Sequence, residues 1–179
     1  MSFTGTNLPN AASGGSGADT LLGAAGANTN PAANTPNDAA TLSGGGGNDV
    51  LFGGGGADSV VGNEGNDTIS GGNEGDTITG GAGGDSLLGG DGLDLLSYRF
   101  DSAAVSVSLA SNTASGGQAQ GDSISGLEAL LGGGTNDTLI GDGNANTLDG
   151  GAGNDSLNGG GGLDLLSYRF DSAGVSVNL

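Results

Sequence analysis

The apolar positions of this chain recur in a nine-residue rhythm. Read in steps of nine, Gly44 to Ser97 gives GGGGNDVLF, GGGGADSVV, GNEGNDTIS, GGNEGDTIT, GGAGGDSLL and GGDGLDLLS without a gap. The eighth position is aliphatic in every unit: Leu51, Val60, Ile69, Ile78, Leu87 and Leu96. A polar-apolar-polar triplet such as Thr68-Ile69-Ser70 predicts a three-residue strand with one side chain pointing inward. The six glycine-rich residues before it predict a tight turn. Two nonapeptides, one per side, then complete a coil of 18 residues. Coils stacked at strand spacing, about 4.8 Å, put Ile69 over Leu51 and Leu87, and Ile78 over Val60 and Leu96. The expected core is two thin aliphatic columns facing each other.

The rhythm divides the chain. A second array, GGGTNDTLI, GDGNANTLD, GGAGNDSLN and GGGGLDLLS, runs from Gly132 to Ser167, with Leu139, Leu148, Leu157 and Leu166 at the eighth position. An isolated unit, GGSGADTLL, spans Gly14 to Leu22, and the stretch from Gly23 to Ser43, with Pro31 and Pro36, reads as a loop or a degraded coil. The expected organisation is a partly degenerate region over 1–43, a first array over 44–97, a connector over 98–131, a second array over 132–167 and the start of a second connector over 168–179. Gly89–Leu109 and Gly159–Leu179 are near-copies 70 residues apart that differ at three positions. That repetition suggests a piece of a longer array. The fold class expected is all-β: a β-solenoid of two nonapeptide arrays joined by a strand-containing connector.

Composition sharpens this picture. Glycine occurs 43 times in 179 residues, with no Trp, two Tyr and four Phe, so a conventional bulky core cannot be built. Such a chain must bury its aliphatics in regular layers or draw stability from a ligand. Twenty acidic residues against two arginines give a net charge of −18, which disfavours nucleic acid and favours cations. Composition alone would suggest disorder; the unbroken register argues against it. With no Cys and no His, thiol chemistry, the usual zinc ligand sets and a Ser-His-Asp triad are excluded, and no enzyme is expected in this chain. Met1–Gly15 has no basic region followed by an apolar run, so it is not read as a Sec-type signal peptide, and no stretch approaches a membrane span.

The sixth position carries the candidate chemistry. It is Asp49, Asp58, Asp67, Asp76, Asp85 and Asp94 in the first array, and Asp137, Asn146, Asp155 and Asp164 in the second. Stacking aligns Asp49, Asp67 and Asp85 along one edge and Asp58, Asp76 and Asp94 along the other. Unit charges at coil spacing repel by roughly 1 kcal/mol in water and more where solvent is excluded, so the rows oppose folding unless cations intervene. Ca²⁺ accepts six to eight oxygen ligands in a flexible shell, Mg²⁺ demands a small octahedron, and softer metals lack the ligands they favour. Several Ca²⁺ ions are therefore expected.

These residues resemble the hemolysin-type, or RTX, calcium-binding nonapeptide repeat, G-G-x-G-x-D-x-U-x, over about half of the chain. The resemblance implies a right-handed parallel β-roll with ions held between adjacent turns by aspartate carboxylates and loop carbonyls. Carried over residue by residue, the carboxylates are the nine aspartates just named. The glycines are Gly45, Gly47, Gly54, Gly56, Gly65, Gly72, Gly81 and Gly83, with Gly151 and Gly153 in the second array. Asn146 departs from the pattern, since a neutral amide ligates more weakly, and Asp19 lacks a strong neighbouring coil. The connector, with Val105–Leu109, Gly116–Asp122 and the run to Asp142, is similar to the C-terminal β-roll region of serralysin-type proteases, whose catalytic domain is absent here.

What the resemblance implies is a secreted, extracellular module. It would be unfolded for export through a type I secretion apparatus and folded by external calcium. Two alternatives stay open: a structural or adhesive spacer of a large surface protein, and an appendage of a secreted hydrolase or polysaccharide-modifying enzyme. Glu64 and Glu74 are read as solvent-facing charge and Glu128 as a structural or capping contact. Tyr98-Arg99-Phe100-Asp101 and its copy at 168–171 are read as a cap over the apolar end of the roll, with an Arg–Asp pair nearby, in preference to a partner patch.

Overall fold

One inward side chain per nonapeptide is enough for a core when the two walls are sheets and every inward position repeats at coil spacing. In the computed structural model, which describes residues 2–4, 20–23, 29–30, 39–167 and 176–178, the chain is a parallel β-solenoid. Asp19, Pro31, Pro36 and the copy of the aromatic motif at 168–171 lie outside the described residues.

Two sheets form the walls. The first runs Ser2–Thr4, Thr20–Leu22, Thr41–Gly46, Ser59–Glu64, Thr77–Ala82, Leu95–Ser97, Ala129–Leu131, Thr147–Asp149, Leu165–Ser167. The second runs Thr29–Asn30, Val50–Gly55, Thr68–Asn73, Ser86–Asp91, Ser123–Ser125, Thr113–Ser115, Ser106–Ser108, Thr138–Ile140, Ser156–Asn158, Ser176–Asn178. Leu51 pairs with Ile69 and Ile69 with Leu87, while Val60 pairs with Ile78 and Ile78 with Leu96. Both columns are buried, with Val60, Ile78, Leu96, Leu139 and Leu148 wholly removed from solvent. The described residues of the degraded stretch and its flanks join the stack: Thr20 pairs with Thr41, and Thr29–Asn30 with Val50–Leu51. The interval is 21 residues from Thr20 to Thr41 where a regular coil spans 18, as from Thr41 to Ser59.

Strand length departs from the expected triplet. In the first array the strands from Val50–Gly55 to Ser86–Asp91 are six residues long, while Leu95–Ser97 keeps three, and the ladder resumes beyond the first glycine, with Gly54 on Gly72 and Gly55 on Asn73. There the second positions of adjacent coils are both left-handed (Gly54 φ 112°, Gly72 φ 125°), which lets the main chain pair again beyond the turn. Thr138–Ile140 and Thr147–Asp149 of the second array keep the expected three residues. They are followed by Asp142 in place of glycine and by Gly151.

The connector departs from the all-parallel expectation. After Ser97 the chain advances past two rungs of the second sheet to form Ser106–Ser108. It then doubles back as the antiparallel strand Thr113–Ser115 and returns as Ser123–Ser125 beside Ser86–Leu88. Ala129–Leu131 pairs directly with Leu95–Ser97 in the opposite wall, and Ser106–Ser108 receives Thr138–Ile140. Regular coiling resumes from there. No described helix is long and apolar enough to cross a membrane.

Candidate calcium-binding turns

The turns stack on two edges of the roll, and each sixth-position aspartate ties its own coil to the one before. The Asp49 N–H donates to Oδ1 of Asp67 and the Asp67 N–H to Oδ1 of Asp85, both at 2.8 Å. On the opposite edge Asp58 donates to Asp76 and Asp76 to Asp94, also at 2.8 Å. These carboxylates are buried, Asp94 completely. One oxygen of Asp67, Asp76, Asp85 and Asp94 is thereby accounted for, and the Ala40 N–H donates to one of Asp58.

The other oxygen is not. Oδ2 of Asp58, Asp67, Asp76, Asp85 and Asp94 is buried without a hydrogen-bond partner, an arrangement that costs free energy unless something positive meets it. Its surroundings make matters worse. A methyl group on Gly62 would strike Asp67 Oδ2 and the Gly80 carbonyl oxygen together, and one on Gly53 would strike Asp58 Oδ2 and the Gly71 carbonyl oxygen. Carboxylate and carbonyl oxygens thus crowd one small space. The first position must be glycine for that reason.

The ionisation of these groups reports the same strain. Burial, only partly offset by the N–H from the neighbouring coil, pushes Asp67 and Asp76 up to about 6, with flanking carboxylates adding to the rise. Burial likewise raises Asp58, Asp85, Asp94 and Asp137 above the ordinary carboxylate range. Among the described residues no three carboxylates converge. An ion in these turns would therefore take most of its oxygens from main-chain carbonyls. Second- and fourth-position residues, left-handed throughout the first array, present such carbonyls: that of Gly47 faces Gly65, that of Gly65 faces Gly83, and that of Gly54 faces Gly72. The donor set is hard, oxygen-only and rich in carbonyls, which fits Ca²⁺.

The second array is less uniform. Gly151 and Gly153 are left-handed as in the first array, and Asp137 donates to Asp155 at 2.8 Å. Asp137 itself, however, takes the Val105 N–H on Oδ1 and the Gly133 N–H on Oδ2. Asn146 takes the Asp142 N–H on Oδ1, and its amide donates to the Glu128 carbonyl. Asp164 accepts from Asn146 and is only half-buried. Glu64 and Glu74 face solvent, as the sequence suggests.

Several participants are not evident from the repeat. Asp122 extends the first row by accepting the Asp85 N–H at 2.9 Å, and Glu128 extends the second by accepting the Asp94 N–H at 3.0 Å. Neither sits in a nonapeptide, so the repeat gives no signal for them. Asn48 and Asn66 form a shorter ladder, receiving the N–H groups of Asn66 and Gly84; the recurring Asn-Asp pair at 18-residue spacing is its signature. Tyr98 is inside the stack and not over its end, and its hydroxyl donates to Asp122 at 2.8 Å. Arg99 lies over the Phe100 ring at 4.8 Å, while the Asp101 carboxylate receives the N–H groups of Ala103 and Gln118. The expected Arg–Asp pair is replaced by these contacts. A family model for the RTX calcium-binding nonapeptide repeat matches four stretches, residues 4–29, 37–69, 70–98 and 131–166, more than half of the chain. No curated protein matches the chain.

Proposed function

Since the chain belongs to the RTX calcium-binding nonapeptide repeat family and binds Ca²⁺ at several sites in a β-roll, we propose that calcium is its folding trigger. On this reading it is a stability module of a protein secreted by a type I apparatus. The observation that carries the reading is the run of five buried Oδ2 atoms without donors. Ion-free, each folded coil adds a desolvated charge beside others of the same sign, and the extended chain relieves that cost by solvation. A divalent ion meeting the orphaned oxygens and the left-handed carbonyls reverses the balance, so that binding free energy becomes folding free energy.

The residues proposed to hold the ions are Asp49, Asp58, Asp67, Asp76, Asp85 and Asp94, with Asp155 and Asp164 and the carbonyls of the second- and fourth-position glycines. The calcium itself supplies charge neutralisation and cross-linking of adjacent coils. Low calcium inside a cell keeps the ion-binding coils extended for export, and millimolar calcium outside folds them. The first array, 44–97, and the part of the second array, 132–167, whose sixth-position oxygens are not already taken by main-chain N–H groups are proposed as the units that respond. The near-copies 70 residues apart support a second reading, in which the calcium-stiffened roll spaces other parts of a surface protein.

Circular dichroism during a calcium titration of the purified chain tests the trigger. A cooperative gain of β signal in the 10⁻⁴–10⁻³ M range typical of extracellular modules, reversed by chelator, is expected. An unchanged spectrum up to about 10 mM, well above that range, would refute it.

A further inference from the structure

The oxygens left to the metal in the first array are met by the protein itself in the middle of the roll. Asp122 is the clearest case. Its Oδ1 takes the Asp85 N–H, as Asp67, Asp76, Asp85 and Asp94 take that of the preceding coil, but its Oδ2 accepts the Tyr98 hydroxyl at 2.8 Å. Asp137 has both oxygens engaged, by the N–H groups of Val105 (2.9 Å) and Gly133 (2.6 Å). Asn146 replaces a charge with a neutral amide and receives the Asp142 N–H at 2.7 Å. Asp101 is satisfied by Ala103 and Gln118.

At Asp137 and Asn146 backbone conformation explains the difference. In the turns 132–137 and 141–146 the second and fourth positions, Gly133, Thr135, Asp142 and Asn144, are not left-handed. The second-position N–H is then free to turn onto the sixth-position side chain. A separate observation points the same way. The regular arrays bury one aliphatic per nonapeptide, whereas this segment additionally buries Tyr98, Val105, Leu109, Ala119 and Leu127. Apolar burial supplies here the stability that the arrays take from an ion.

We propose that residues 98–146 form a calcium-independent clasp, a folded nucleus whose own donors occupy the carboxylate oxygens that calcium meets elsewhere, and onto which the calcium-loaded coils of residues 44–97 stack. The clasp presents ready-made edges for that growth: the Asp122 and Glu128 carboxylates receive the N–H groups of Asp85 and Asp94. It rests on the calcium reading of the first array, and it adds that calcium uptake is confined to part of the chain.

Hydrogen exchange read by mass spectrometry on the full chain, in chelator and in 5–10 mM Ca²⁺ (about tenfold above the extracellular range), tests both. Expected in chelator are amides slowed by roughly a hundredfold or more over segments from 98 to 146, as for a locally folded unit, and unfolded rates over 44–84; calcium then protects the latter. Tyr98→Phe, which deletes a single hydroxyl, should cut the chelator-state protection of 98–146 severalfold while leaving calcium-state protection of 44–84 in place. If 98–146 exchanges freely in chelator and folds only together with 44–84, the clasp is wrong and the calcium trigger stands. If the whole roll is protected in chelator, the trigger fails, and the clasp, having no distinct role, fails with it.

Discussion

The demands of the roll on single residues are most visible where the sequence breaks its own rule. Asn63 and Glu74 stand where other units have glycine at the second and fourth positions, yet both adopt left-handed backbone, φ 80° and 72°. Asn tolerates this region and Glu does not, at a cost of about 1–3 kcal/mol. Glu74 also raises the carboxyls of Asp58 and Asp76 by like-charge repulsion. Glu74→Gly should therefore raise the stability of the calcium-loaded chain by on the order of 1 kcal/mol after the glycine's own entropic cost, seen as a higher urea midpoint in saturating calcium. A lower midpoint would mean that the exposed carboxylate supplies a ligand. At this scale the sequence is a good guide to the aspartates and a poor one to Asp122, Glu128 and Tyr98. Their roles depend on which coil lies next to them, and that is settled 24 to 37 residues away.

At the level of elements, each strand is too short to be stable alone and contributes one inward side chain. Ile69 pairs with Leu51 and Leu87 on either side and is buried, so a cavity there cannot be filled by rearrangement of other apolar groups. Ile69→Ala should cost about 2–5 kcal/mol, while Thr68→Ala, on the exposed face of the same strand, should change stability by less than about 0.5 kcal/mol. Denaturant unfolding in calcium measures both; equal effects would show that the column is not the core. First-array strands extend to six residues where left-handed second positions stack on one another in adjacent coils; Gly151 and Gly160 are also left-handed but lie against Gly133 and Asp142, which are not, and the strands before them stop at three. The triplet pattern predicts which residue points inward but not how far the ladder runs, because the extra pairing belongs to glycines with no side chain to signal a face.

For the whole molecule, the charge of −18 acts through its arrangement in two buried rows. Asp67 and Asp76 ionise near 6 in the folded, ion-free roll and near 3.9 when unfolded. Between these values the folded state holds protons that the unfolded chain has lost. Their contribution to stability is therefore fully present below about pH 4 and is lost as pH rises through about 6. In chelator, acidification from pH 7 to about 4.5 should recover part of the β signal, whereas in calcium the same change should weaken ion uptake as protons compete for the carboxylates. Circular dichroism and calorimetry across that window check the two signs. A chelated chain that loses structure on acidification would contradict the electrostatic account.

The nine-residue register by itself determined the solenoid, its two aliphatic columns, the alignment of aspartates on two edges and the oxygen-only chemistry that selects calcium. These follow from local geometry repeated, since a coil of fixed length superposes like on like. The tertiary structure alone decided the rest: the doubled-back connector with its antiparallel strand, the substitution of Asp122 and Glu128 into the rows, and the hydroxyl of Tyr98 taking the place of an ion. Those features join residues that share no period, and only the packing of one coil on another brings them within hydrogen-bonding distance.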